Sequence, residues 1–307
     1  MAKRLLDCFT SDFEKFTKKE LLESIMKSEG RVMACETIGV LQPMLGNVTN
    51  AEFAASMGAD LLLLNMLDVE HPVVLGLPDT EPQEVVRVIK KLTGRPVGIN
   101  LEPVADGWVE EPDAMFGMTK GRRATAENAK KARDMGVDMI VLTGNPGTGV
   151  GNEEIVRSLQ ELRRVVGEQV ILTAGKMHAS GIMTEAAEHI ITKEDIKRFA
   201  EAGADMILMP APGTVPGITM EYIRGLVSYA HGLKLLTMTA IGTSQEGANQ
   251  DTIRQIALMC KMTGTDVHHI GDTGYGGIAL PENIFAYSVA IRGIRHTYHR
   301  MASSVRR

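Results

Sequence analysis

Eight short apolar runs alternate with eight amphipathic helical stretches, and no other feature of this chain restricts its fold so tightly. The runs are Arg31–Val40, Asp60–Val69, Pro96–Val104, Asp138–Asn145, Val170–Lys176, Asp205–Pro210, Lys234–Ile241 and Asp266–Asp272. None shows the apolar–polar alternation of a strand with one wet face, so each reads as a strand buried on both sides. The helical stretches are Asn50–Gly58, Glu81–Thr93, Thr125–Gly136, Asn152–Val166, Thr192–Gly203, Thr219–Gly232, Asn249–Gly264 and Pro281–Ala302.

A four-residue junction recurs at every second helix-to-strand boundary. It reads Met57-Gly58-Ala59-Asp60, Met135-Gly136-Val137-Asp138, Ala202-Gly203-Ala204-Asp205 and Thr263-Gly264-Thr265-Asp266. The glycine suits the left-handed cap that ends a helix, and the aspartate opens the strand. An open doubly wound sheet needs edge strands and a reversal of strand order, and neither is visible here. The pattern therefore predicts a single-domain α/β protein, a closed (β/α)8 TIM barrel over residues 31–307, near the usual size of about 250 residues. Residues 1–30 become an extra N-terminal helical segment with Leu21, Leu22 and Ile25 at helical spacing. It either plugs the barrel bottom or packs on a partner subunit, with Phe9, Phe13 and Phe16 as the contact.

Composition narrows the partners. The net charge of -5, from 33 basic and 38 acidic residues, supplies no field for holding nucleic acid. No run of about 18 apolar residues is present to span a membrane. Cys8, Cys35 and Cys260 are odd in number and far apart, which points to reduced thiols in a cytoplasm and away from CxxC metal or disulfide frameworks. A homo-oligomer is the default expectation for such a barrel.

A barrel carries its chemistry at the carboxyl ends of its strands. The polar residues there include Glu36, Asn65, Asp68, Asn100, Glu102, Thr143, Asn145, Lys176 and His178. Lys176 ends an apolar strand, where burial favours a nucleophilic amine and a Schiff base; a charged lysine that binds phosphate or a carboxylate is the other reading. Glu36 and Glu102 end the first and third strands and suit proton abstraction beside a carbonyl. Asn65, Asn100, Thr143 and Asn145 are candidates for substrate contact. The sequence requires no cofactor; a divalent ion such as Mg would be held by Glu36, Asp68 and Glu102. Of the adjacent His268 and His269, only one can face the interior.

Two glycine-rich segments follow the last two strands: Gly242-Thr243-Ser244, and Gly274-Tyr275-Gly276-Gly277. Loops in this position often cradle phosphate with backbone N–H groups. Asp272 and Glu246 work against an anion there and must point away or hold a cation. A third glycine-rich stretch, 143–151, lacks the lysine of a P-loop. The long segment Ala105–Arg123, with Trp108, has the place and length of a lid.

The run Gly271-Asp272-Thr273-Gly274-Tyr275-Gly276-Gly277, continuing into Pro281-Glu282-Asn283-Ile284-Phe285-Ala286-Tyr287 and Arg292-Gly293-Ile294-Arg295-His296-Thr297-Tyr298-His299-Arg300, resembles an uncharacterised bacterial TIM-barrel family. Its members often carry the label haloacid dehalogenase-like hydrolase. The resemblance spans the whole chain and assigns no catalytic residue. The Asp-x-Asp nucleophile motif of that hydrolase chemistry is not in this sequence. More loosely, the last two loops are similar to those of phosphate-binding barrels such as ribulose-phosphate epimerases and small aldolases.

These readings converge on a lyase, aldolase or isomerase acting on a small phosphorylated carbonyl compound such as a sugar phosphate. Lys176 would polarise or bind the carbonyl, and Glu36 or Glu102 would move the proton. Two alternatives stand beside it: a metal-assisted hydrolase using Glu36, Asp68, Glu102 and His178, and a non-catalytic barrel that binds a phosphorylated metabolite and regulates a partner.

Overall fold

The structure, a computed structural model, describes residues 2–105, 107, 117–144, 149–179 and 181–307. Eight parallel strands close into a barrel in chain order: β1 (Val32–Ile38), β2 (Leu61–Asn65), β3 (Val97–Leu101), β4 (Met139–Leu142), β5 (Ile171–Gly175), β6 (Met206–Pro210), β7 (Leu236–Ile241) and β8 (Val267–Ile270). β1 pairs with both β2 and β8, so no edge is left open. Two N-terminal helices, α1 (Thr10–Phe13) and α2 (Lys18–Met26), precede the barrel. Its outer ring is α3 (Asn50–Ser56), α4 (Val85–Thr93), α5 (Ala126–Asp134), α6 (Asn152–Val166), α7 (Lys193–Ala202), α8 (Met220–Gly232), α9 (Gln250–Thr263) and α10 (Pro281–Ala302). Side-chain caps start several of these helices: Thr49, Thr125, Thr192, Thr219 and Asn249 each accept a backbone N–H of the first turn. Among the described residues no helix is long and apolar enough to cross a membrane.

The recurring junction builds the barrel floor. Its four glycines all have positive φ, from 86° at Gly264 to 109° at Gly58, a conformation that costs a side chain dearly and glycine little. Each following aspartate reaches sideways to the start of the preceding odd strand. Asp60 accepts the N–H of Met33, Asp138 that of Val97, Asp205 that of Leu172 and Asp266 that of Thr237, all at 2.8 Å. Each also meets a basic group: Asp60 pairs with Arg292 and Arg300, Asp138 with Lys90, Asp205 with Lys18, and Asp266 with His231. One device therefore repeats four times around the amino ends of the strands.

The N-terminal segment closes this end. Leu21 and Ile25 of α2 join Val32, Leu61, Met139 and Ile171 in the interior cluster of the barrel. Lys18 of α2 pairs with Asp205 at 2.6 Å, and Arg300 of α10 donates to the carbonyls of Leu5 and Cys8. Of the three phenylalanines expected to make a contact, Phe13 is buried and packs edge-on against Phe16, and the Arg307 guanidinium lies over the half-buried Phe9. Cys8, Cys35 and Cys260 are buried free thiols.

Candidate active site

The opposite end of the barrel is built from the last inward-facing residue of each strand. On β8, alternation turns Val267 and His269 inward and His268 outward. His268 Nε2 lies 3.0 Å from the carbonyl of Gly30 and its Nδ1 3.3 Å from the Tyr287 hydroxyl. His269 Nε2 instead stands 3.5 Å from Glu36 Oε2. Glu36 Oε1 accepts from Asn100 Nδ2 at 2.6 Å, and the same amide donates to Asn65 Oδ1 at 3.0 Å. Asn65 Nδ2 donates to Asp272 Oδ2 at 2.8 Å, and Gly274 N–H donates to Asp272 Oδ1 at 2.8 Å. Four strand ends, β1, β2, β3 and β8, thus share one buried polar network.

Inward side chains of such a barrel stack in layers, alternate strands contributing to each. The strand register puts Asn100 of β3, Gly175 of β5 and Ala240 of β7 in the layer of Glu36. Two polar side chains therefore face two residues with almost none. Gly271 continues this small-residue sector, where a Cβ would stand 3.4 Å from the Glu246 carboxyl. Beneath lie Leu63, Val141, Leu208 and His269, an apolar floor broken by one imidazole.

Electrostatics distinguish the network from ordinary surface carboxylates. Burial pushes the Glu36 carboxyl well above its usual range, and the negative charges of Asp272 and Glu246 add to the effect against the Asn100 hydrogen bond. Asp272 is raised by burial, opposed by Asn65 and the Gly274 N–H. Glu246, on the loop after β7, is raised by burial and by Asp272, although backbone N–H groups hold its carboxylate. Burial lowers His269 to about 4, so its imidazole is neutral at physiological pH. The result is a carboxyl group tuned toward neutrality beside a neutral imidazole, which suits proton transfer. Asn100 Oδ1, Thr173 Oγ1, His269 Nδ1 and Glu246 Oε2 are buried atoms with no hydrogen-bond partner among the described residues. Buried polar atoms are rarely left so.

The loops after β7 and β8 hold carboxylates with the amides expected to hold phosphate. Thr273 N–H donates to Glu246 Oε1 at 3.0 Å and Gly274 N–H to Asp272. Gly276 and Gly277 donate to the carbonyls of Thr273 and Gly274. The Gly277 carbonyl accepts from Ile38 N–H at 2.9 Å, carrying the chain across the end of β1. Gly242 exchanges hydrogen bonds with the Thr214 hydroxyl, and the Thr243 hydroxyl donates to the Thr214 carbonyl. Tyr275 is exposed at the rim. Thr243, Ser244 and Thr273 have φ of 58°, 68° and 55°, a strained state for side-chain-bearing residues that gathers at functional sites.

Other predicted residues are dispersed. Glu102 forms an ion pair with Arg122, and burial raises its pKa in spite of that partner. Lys176 is buried and donates to Glu185 Oε2 at 2.6 Å, so its partner is a loop carboxylate outside the network. His178 is partly buried and its pKa is lowered by burial. Asp68 Oδ1 caps its own turn by accepting from Glu70 and His71 N–H. Glu36, Asp68 and Glu102 are therefore not assembled as a metal centre, and among the described residues no group of three or more His, Cys, Asp or Glu side chains could hold a metal ion. Thr143 is buried at the end of β4. Asn145, Trp108 and most of the expected lid lie outside the described residues.

Three members of the network, His269, Asp272 and Glu246, stand out in the sequence by position or charge but receive no catalytic role there. The signals were available. Parity along β8 selects His269, and the like charge that set Asp272 and Glu246 against a phosphate is the feature that defines the site.

A family model described as a domain of unknown function (DUF7916) matches residues 6–307, and the chain belongs to that family. The match lends no support to a haloacid dehalogenase label. No curated protein matches the chain. Among solved structures, an archaeal fructose 1,6-bisphosphate aldolase is similar at 13% identity and TM-score 0.54, over 88% of this chain and 98% of that one. The carboxyl transferase domain of Rhizobium etli pyruvate carboxylase is similar at 12% identity and TM-score 0.55, over 96% and 51%. 2,3-Dimethylmalate lyase, a member of the PEP mutase/isocitrate lyase superfamily, is similar at 14% identity and TM-score 0.50, over 83% and 81%. Likeness at this distance shows the shared barrel and nothing finer.

Proposed function

We propose that this DUF7916 barrel is an enzyme of lyase, aldolase or isomerase type that moves a proton at a carbon next to a carbonyl in a small substrate. The observation that carries the reading is Glu36: a buried carboxyl at the centre of the catalytic end, oriented by Asn100 and facing a small-residue sector. In this reading Glu36 takes the proton, and burial, which raises its pKa, makes it a stronger base than an exposed carboxylate. Asn65 and Asp272 hold Asn100 in place, and the neutral His269 donates to the carboxylate or relays its proton. The apolar layer below keeps bulk water from the reacting carbon. A phosphorylated substrate, expected from the loops after β7 and β8, has less support, since several of their amides are already committed to Glu246, Asp272 and turn carbonyls.

The test is proton exchange, which reads out on the substrate itself whatever product it goes on to form. Small carbonyl compounds, each with and without a phosphate ester, are incubated with the protein in deuterium oxide and their α-protons followed by NMR. The wild type should wash deuterium into at least one of them, and Glu36→Gln should slow that exchange by about 10²-fold or more. Exchange that survives Glu36→Gln unchanged removes the assignment.

A further inference from the structure

We infer that the group seated against Glu36, Asn100 and Glu246 is a cation on a small molecule, a protonated amine, so that the substrate carries an amino group near its reacting carbon. This rests on the reading of the Glu36 network as the active site.

Three observations point there. First, three buried carboxyl groups, Glu36, Asp272 and Glu246, lie close enough to repel one another, and every side-chain partner that they show is an amide or an imidazole. Two buried basic side chains of this end, Arg122 and Lys176, are paired with other carboxylates, Glu102 and Glu185. Second, Asn100 Oδ1 and Glu246 Oε2 are buried acceptors without donors. The carboxamide of Asn100 cannot be reversed to satisfy itself, because its nitrogen serves two acceptors, Glu36 Oε1 and Asn65 Oδ1. Among the described residues these two acceptors have no donor and the three carboxyls no basic partner; an ammonium supplies both, with three donors and no acceptor. Third, the floor of the same barrel shows the alternative arrangement, in which each of the four junction aspartates has a basic partner supplied by the chain. At the catalytic end the chain leaves that place to the ligand. An anion seated there would face three carboxyl groups, with repulsion in place of attraction.

An ammonium bound there favours the charged carboxylates, so they release protons as it binds. The experiment measures binding of ethanolamine by calorimetry in two buffers of different ionisation enthalpy, with ethylene glycol, inorganic phosphate and Mg as comparison probes. Ethanolamine should bind with net proton release, more than about tenfold tighter than ethylene glycol, and Glu36→Gln and Glu246→Gln should each weaken it about tenfold or more. The glutamine variants keep shape, and circular dichroism confirms that they fold. Binding of phosphate or of Mg in preference to ethanolamine, equal binding of the neutral diol, or ethanolamine binding indifferent to both glutamine variants overturns the inference. Its failure is separable from that of the proton-transfer reading. Deuterium exchange dependent on Glu36 but without amine affinity would sink the amine alone, whereas amine affinity without exchange would sink the reaction.

Discussion

The two ends of this barrel both bury carboxyl groups, and they treat them in opposite ways. At the floor, Asp60 is fully buried, and burial alone would raise its pKa. Arg292, Arg300 and the Met33 N–H outweigh that effect and hold it below the usual range. At the mouth, Glu36 is equally enclosed, but its neighbours are two more carboxyls, an amide and a neutral imidazole, so burial prevails and its pKa rises. One end uses charge to fix four strand starts in register. The other leaves its carboxyls without a basic partner among the described residues, the kind of arrangement by which active sites shift a pKa.

The largest effect should come from removing the floor's charge at its most buried point. Asp60→Asn leaves Arg292 and Arg300 buried without their carboxylate and should cost about 3–5 kcal/mol in urea unfolding at pH 7. The sign follows from the depressed pKa of Asp60: its contribution is present above the unfolded value and is lost as pH falls through the folded one. The gap between wild type and variant should therefore close in strong acid. An undiminished gap there would mean that Asp60 acts through packing, not charge.

Glu36→Gln should act in the opposite direction. A carboxyl whose folded pKa is raised opposes folding as pH climbs from the unfolded value through the folded one. The neutral variant should gain about 1 kcal/mol at pH 8 and little at pH 4, while losing the exchange activity. A loss of stability at pH 8 would erase the contrast between the two ends. Lys90→Met should show an intermediate cost of about 1 kcal/mol, because the Lys90–Asp138 pair is partly exposed.

The smallest effect belongs to His231. Its pKa is raised by the hydrogen bond to Asp266, with burial opposing. Its stabilisation is present below the unfolded pKa of about 6.5 and fades as pH rises through the folded value. The side chain is 41% exposed, so His231→Ala should cost only a few tenths of a kcal/mol at pH 5.5 and less at pH 8.5. A cost that grows with pH would reverse the assignment.

Much of the floor was legible in the sequence. The x-Gly-x-Asp junction marks where helices end and even strands begin, because a left-handed glycine and a strand-opening aspartate are local requirements. What the aspartates do was not legible, since their partners, Met33 for Asp60 and Leu172 for Asp205, lie a full βα unit away. The same limit applies at the mouth. Glu36, Asn65 and Asn100 stood out by position at strand ends, and the structure joins them. Lys176, Glu102 and Asp68 stood out by the same rule, yet their contacts are with Glu185, Arg122 and a local turn. Glycines after β7 and β8 resembled an anion cradle because composition does not reveal where an N–H points. Here several of those amides face the chain's own carboxylates and carbonyls.

The central claim is that Glu36 holds its proton well above the ordinary glutamate range because none of the described side chains around it carries a compensating positive charge. Carboxyl-carbon NMR of protein labelled in glutamate side chains, assigned by difference against Glu36→Gln, measures this directly through a pH titration. The account predicts a Glu36 resonance that titrates well above the ordinary glutamate range and moves down when ethanolamine is added. A resonance that titrates near 4, as for an exposed glutamate, would contradict it.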